Sequence, residues 1–318
     1  MIQKKGFIGT YWLKYTNREG YKTYKWELSN YKKVEFIQFL TGNERLTTPA
    51  KIQVAAKTNH QLNLNHSGNA GDIIYAMATI KKLAETVKVP INLYLRAGQP
   101  LMIANPAKHP LGGVMLNAKM IDMLAPLISS QPYINTLSEL KDEVIDVDLD
   151  FFRAGHIPMD RCNIAHWCAY VTGVTPDLWK SWLDVEPDMA FAGYIVIARS
   201  ERYRNVTTDY SFLSKYDKLK FIGVESEYED IKKQIPNIEW VQVSDFLQMA
   251  RAIAGCKFFI GNQSFPFSIA EALKVPRVLE VCYDVINVVP EGPGGHDFLF
   301  QDHFESLVAE LYTKTTQV

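Results

Sequence analysis

Large and polar side chains alternate along Tyr11-Trp12-Leu13-Lys14-Tyr15 and again along Tyr21-Lys22-Thr23-Tyr24-Lys25-Trp26, with Asn17-Arg18-Glu19-Gly20 between them. A period of two on either side of turn chemistry predicts a β-hairpin. From Tyr31 to Leu40, Val34, Ile37, Phe39 and Leu40 fall near helical spacing, so a short helix is expected there, ended by Thr41-Gly42-Asn43. From His60 onward the pattern becomes short apolar strands alternating with helices. Leu62–Leu64 reads as a strand. Asp72–Thr86 reads as a helix with Ile73, Ala76, Met77, Ile80 and Leu83 on one stripe. Ile91–Leu95 (strand), Lys119–Ile128 (helix) and Val144–Leu149 (strand) complete this first series. A second begins at Tyr194–Ala198 and continues through strands at Lys220–Ile222, Trp240-Val241, Lys257–Ile260 and Arg277–Val281. Helices at Glu227–Gln234, Ser244–Ala254 and Pro266–Leu273 separate them. Two βαβ series divided by the helical and Pro-rich stretch Ile164–Pro187 imply an α/β protein with two Rossmann-like domains. The boundaries read as 1–58 for an extension, 59–187 for the first domain and 188–318 for the second.

The chain has 318 residues, 47% hydrophobic and 22% charged, which excludes wholesale disorder. No apolar run approaches the roughly 18 residues of a membrane-spanning helix. The first residues, Met1 to Phe7, carry Lys4 and Lys5 rather than an apolar signal core, so a cytoplasmic protein is expected. Four cysteines without a CxxC pair and seven histidines without HExxH support neither a disulfide scaffold nor a zinc site. The net charge of −1 is uneven. Residues 1–60 hold eleven Lys/Arg against four Glu, a local +7, and the remainder balances it at −8. A basic arm bearing Trp12, Tyr15, Tyr21, Tyr24 and Trp26 suits an anionic partner, nucleic acid among the candidates, although a solvated basic face is the blander reading.

Two segments carry candidate chemistry. His66-Ser67-Gly68-Asn69-Ala70-Gly71-Asp72 follows a strand and opens a helix, where glycines allow positive φ or close approach of a ligand. It matches neither GxGxxG nor a P-loop. Asp72 near the helix start suits capping as well as general-base work. Ile260-Gly261-Asn262-Gln263-Ser264-Phe265-Pro266 is again strand, polar turn, helix, with Ser264 as N-cap and free N–H groups suited to phosphate oxygens.

Together, in this order and separation, these segments resemble the ADP-heptose:lipopolysaccharide heptosyltransferases, glycosyltransferase family 9. Ser67–Ile80 resembles the family's amino-terminal S-x-G-D motif, and Ile260–Leu273 its donor-site motif. Ser244–Cys256 resembles the helix before the latter, and the likeness covers roughly residues 62–282. It implies a GT-B-like fold, two Rossmann-like domains facing across a cleft, here with a small N-terminal β-hairpin/helix extension. It also implies an inverting transferase using a nucleotide-sugar as substrate, with no cofactor and no metal. Asp72 matches the family's catalytic base. Ser67, Gly68, Asn69, Gly71 and Tyr75 then belong to the acceptor-side loop. Arg199, Ser200, Arg202, Arg204, Glu225, Gly261, Asn262, Gln263 and Ser264 form the donor side. The departures are Gln263, Phe265 and Ser268 where the family has aspartate, glycine and histidine, and Tyr75 where it has histidine. The implied reaction moves a sugar to a hydroxyl acceptor, a saccharide in preference to nucleic acid or a modified DNA base. The alternative is a catalytically idle GT-B-like nucleotide- or glycan-binding module, with a sugar-nucleotide 2-epimerase as a weaker third.

Overall fold

The computed structural model describes residues 4–42, 48–101, 112–153 and 157–314, with side chains for all of these except 36–42. The chain divides into two compact units, Met1–Thr47 and Thr48–Val318.

The first unit is helical, which corrects the hairpin reading. Helix α1 spans Phe7–Thr16 and α2 spans Arg18–Gly42. The turn residues act as caps: Asn17 gives its N–H to Leu13 O, and its Oδ1 accepts from Gly20 N–H at 2.8 Å. An asparagine at a helix start satisfies an orphan donor as readily as it forms a turn. The aromatic residues fit helical spacing too, since Tyr11 and Tyr15 meet at i,i+4 with ring centroids 4.8 Å apart. Thr10 and Thr16 return their hydroxyls to the carbonyls of Gly6 and Trp12. Tyr24 is buried, and its hydroxyl accepts from Lys5 N–H at 2.9 Å. The expected helix at Tyr31–Leu40 lies within α2. The side chains of Ile37, Phe39 and Leu40, and the whole of Asn43, lie outside the described residues.

The second unit opens with α3 (Pro49–Asn59), a helix with no counterpart in the sequence reading. Thr48 caps it, accepting from Lys51 N–H at 3.3 Å with Pro49 in the first turn. Only Ile52 and Ala56 are buried on it, too thin a stripe to announce a helix. Then follow β1 (Leu62–His66), α4 (Ala70–Val87), β2 (Ile91–Leu95), α5 (Ala118–Ser129), β3 (Thr136–Glu139), β4 (Val147–Asp148) and α6 (Trp167–Thr172). Strands β1 to β4 form one parallel sheet in the order β3-β2-β1-β4. The remaining elements are β5 (Ile195–Ala198), β6 (Leu219–Ile222), α7 (Glu225–Gln234), β7 (Glu239–Val241), α8 (Phe246–Gly255), β8 (Phe258–Asn262), α9 (Phe265–Leu273), β9 (Arg277–Glu280), β10 (Gly295–Phe298) and α10 (Gln301–Lys314). These six strands make a second parallel sheet, β10-β9-β8-β5-β6-β7. Strands β5, β8 and β9 are buried along their whole length, as expected of parallel strands covered on both faces.

Both sheets reverse direction of growth at a defined place. The first grows one way from β1 to β2 and returns to β4 on the other side; the second grows from β5 to β6 and returns to β8. In open α/β sheets the crevice beyond the carboxyl ends of the strands at such a switch point is where ligands bind. Residues 66–72 and 149–153 follow the strands at the first switch point, and residues 199–205 and 263–266 follow those at the second.

Candidate functional site

The loop after β1 is shaped by its own polar groups. His66 is fully buried, and its Nδ1 accepts from Gly68 N–H at 3.0 Å. Burial lowers its pKa, so the imidazole is neutral with its proton on Nε2, which has no partner among the described residues. Ser67 N–H donates to Asp150 Oδ1 at 3.0 Å. Arg153 then bridges two acids, donating through Nη1 to Asp150 Oδ1 (2.5 Å) and through Nη2 to Asp72 Oδ2 (2.9 Å). Burial works against the charge on Asp150, but Arg153, the Ser67 hydrogen bonds and, in acid where it is protonated, His66 outweigh it and hold its pKa below the usual carboxylate value. Asp72 also accepts from Asn69 N–H at 3.3 Å, so it caps α4 as well as pairing with arginine. Every one of these contacts falls on Oδ2. Oδ1 receives none among the described residues.

Gly68 serves close packing rather than positive φ. A Cβ there would stand 2.5 Å from Arg153 Nη2 and 2.8 Å from Asp72 Cβ. Gly71 faces the second motif: a Cβ on it would lie 3.8 Å from Ser268 Oγ and 3.9 Å from Phe265 Cα. The two motifs, nearly two hundred residues apart in sequence, therefore meet.

Where they meet there is a cavity of about 550 Å³. Asn69, Gly71, Asp72 and Tyr75 line one side, and Ser200, Arg202, Gln263 and Ser264 the other. Tyr75 stands where the resembling family has histidine; it is 4% exposed, and burial drives its pKa well up, so it presents a neutral phenol. The Arg202 guanidinium is half-buried and forms no ion pair among the described residues. The Ser264 side chain before α9 makes no cap, and Pro266 has no N–H, which leaves Phe265 N–H as the first-turn donor at the cavity edge.

Other predicted residues hold the site without lining the cavity. Arg199 is 5% exposed and spent on Glu280, through Nε at 2.7 Å and Nη2 at 2.9 Å. Glu280 also accepts from Tyr210 Oη (2.8 Å) and Asn205 N–H (2.6 Å), so the pair is a buried strut with both carboxylate oxygens bonded. Arg204 is tied to Asp230 at 2.5 Å and to Ser200 O at 2.8 Å. Asn262 is fully buried: its Oδ1 accepts from Ser200 N–H at 3.0 Å, and its Nδ2 donates to Ser200 O at 3.0 Å and Arg202 O at 2.7 Å. It thus pins the loop that carries Arg202 and the left-handed Tyr203 (φ 56°). Gly261 permits close strand approach, because a Cβ would stand 2.8 Å from Ala198 O. Glu225 is exposed; the acid that lines the cavity is Glu227, whose pKa burial raises. Both lie in the first turn of α7, and only the second turns inward. Gln263, which does line the cavity, donates to Asn287 Oδ1 at 2.8 Å and accepts from Cys282 N–H at 3.2 Å. Ser67 and Gly68 act through the backbone bonds and packing already described.

Sequence reasoning missed Arg153 and the apolar wall of Met115, Met120, Met123, Trp240, Phe246 and Met249. The one signal for Arg153 was its place directly after a strand of the first sheet. Among the described residues no group of three or more His, Cys, Asp or Glu is arranged to hold a metal ion. No helix among them is long and apolar enough to cross a membrane.

No protein-family model matches the sequence, and a comparison with curated proteins finds no match. Solved structures do match in fold. A glycosyl transferase family 9 protein from Veillonella parvula aligns over 80% of this chain and 89% of its own, with 13% identity and a TM-score of 0.50. The E. coli heptosyltransferase WaaC with ADP aligns over 81% of this chain and 100% of its own, with 10% identity and a TM-score of 0.50. The same enzyme with ADP-2-deoxy-2-fluoro heptose gives a TM-score of 0.51 at 10% identity over 79% of this chain and 99% of its own. The two-sheet α/β architecture of this chain is the GT-B-like fold of the family 9 heptosyltransferases.

Proposed function

We propose that the chain is an inverting, metal-independent glycosyltransferase that moves a sugar from a nucleotide-sugar donor to a hydroxyl of a saccharide acceptor. The observation that carries this reading is the shared cavity: a carboxylate from one sheet's switch point, and an unpaired guanidinium with a helix N-terminus from the other's. Asp72 accepts the proton of the acceptor hydroxyl as its oxygen attacks the anomeric carbon. That carbon's bond to the phosphate oxygen breaks in line on the opposite face, which inverts the configuration. Charge then develops on the departing diphosphate, where Arg202 and Phe265 N–H at the start of α9 stabilise it. Arg153 orients Asp72 from the side away from the reaction. The nucleoside is assigned to the end of the cavity lined by Val224, Glu227 and Trp240, with Glu227 as acceptor for ribose hydroxyls.

One observation favours the binding-module alternative. Gln263 stands where the resembling family has an acid, and its amide is engaged with Asn287 and Cys282. A panel of sugar nucleotides with saccharide acceptors, read as release of nucleoside diphosphate, separates the two. A transferase releases diphosphate in an acceptor-dependent way, and EDTA leaves the rate within about twofold. Binding of the diphosphate without turnover on any pair would return the site to a binding module. Strict dependence on a divalent cation would overturn metal independence.

A further inference from the structure

Helix α1 is built inside out. At 100° per residue, Phe7, Ile8, Tyr11, Trp12 and Tyr15 fall within roughly 140° of arc on one face. Those five side chains are 85%, 82%, 53%, 68% and 68% exposed. The less exposed positions, Thr10 and Leu13, lie on the opposite face. A folded helix ordinarily turns its bulkiest apolar side chains inward, and a contiguous exposed patch of this kind marks an interaction surface.

The chemistry of the patch selects its occupant. We propose that the aromatic face of α1 docks in the headgroup region of an anionic lipid bilayer, with the helix lying in the plane of the surface. Tyr and Trp join an apolar ring to a polar tip, which suits the boundary between water and acyl chains. Phe7 and Ile8 supply the apolar insertion. Residues 4–18 contain Lys4, Lys5, Lys14 and Arg18 and no acid, and residues 4–35 hold eight Lys/Arg against three Glu. The resulting +5 attracts an anionic surface. The same charge opposes packing against a second copy of this face. Ten residues at 1.5 Å per residue are too few to span a bilayer, so the helix lies on the surface. Nucleic acid fits less well. The rings are engaged with one another, Phe7 stacked on Tyr11 at 6.1 Å and Tyr11 tilted against Tyr15 at 4.8 Å, and α1 itself offers phosphates only Lys14. The inference stands apart from the glycosyltransferase reading, and its failure would leave that reading untouched.

The test is co-sedimentation of the full chain with vesicles of phosphatidylcholine alone and of phosphatidylcholine mixed with phosphatidylglycerol. The chain is expected to partition into the mixed vesicles about tenfold or more better than into the neutral ones. Phe7→Glu combined with Trp12→Glu is expected to lower that partitioning by about tenfold or more. Both side chains are exposed, so the melting temperature should be retained. Lys5→Glu with Lys14→Glu is a second, independent variant, expected to erase the preference for phosphatidylglycerol while the aromatic face stays intact. Absence of partitioning, or partitioning that the Phe7/Trp12 variant leaves unchanged, would overturn the proposal. So would duplex DNA that displaces the vesicles, or a dimer in solution that the Phe7/Trp12 variant dissolves.

Discussion

Asp72→Asn is expected to lower sugar transfer by roughly 10²-fold or more while the Kd for nucleoside diphosphate moves by less than about twofold. The amide keeps the shape of the carboxylate and can still accept from Asn69 N–H, so α4 retains its cap. What it loses is a base able to take the acceptor's proton. Arg153 keeps its bond to Asp150, so the change does not strand a buried cation. The loss should therefore appear in kcat, with melting temperature and donor KM nearly unchanged. Near wild-type turnover would leave Asp72 as a cap and nothing more.

The second large effect separates two arginines that stand three positions apart. Arg199→Ala is expected to destabilise the protein by about 3–5 kcal/mol in urea or thermal unfolding, because it leaves Glu280 buried without its cation. Tyr210 Oη and Asn205 N–H cannot neutralise that charge. Arg202→Ala removes a half-buried guanidinium with no ion pair among the described residues, and stability should change by no more than about 0.5 kcal/mol. Its effect should fall on donor affinity, by roughly tenfold to a hundredfold, the worth of a charge-assisted bond to phosphate. Equal destabilisation by the two substitutions would contradict this division.

That contrast also shows where sequence information runs out. Five of the six strands of the second sheet were legible because parallel strands covered on both faces become short, nearly continuous apolar runs, as in Ile195–Ala198 and Phe258–Asn262, whereas β10 (Gly295–Phe298), half-exposed and polar, was not. Helix starts read at Asp72, Ser244 and Pro266 fall within two residues of those observed at Ala70, Phe246 and Phe265, because caps and glycines sit beside apolar stripes. Residues 11–26 were not: aromatic residues spaced among lysines satisfy a period of two and an i,i+4 ladder alike, and Asn17 can turn a chain or cap a helix. Strand β3 is exposed along most of its length and carries no apolar alternation. The site was legible as motifs but not as roles. Arg199, Arg202 and Arg204 form one cluster in sequence, yet Glu280, the cavity and Asp230 divide them. Arg153 was missed because its partnership with Asp72 spans 81 residues and comes from the neighbouring strand at the switch point. Glu225 and Glu227 differ only in which side of the first turn of α7 they occupy.

On the proposed function, a nucleotide-sugar donor occupies the cavity between the two switch points, its diphosphate held by Arg202 and the start of α9. Amide hydrogen exchange with and without a nucleoside diphosphate tests it most directly. Slower exchange is predicted in three segments, 199–204, 223–227 and 263–268, with the effect lost in Arg202→Ala and retained in Asp72→Asn. Protection confined to other parts of the chain, or no protection at saturating nucleotide, would contradict the account.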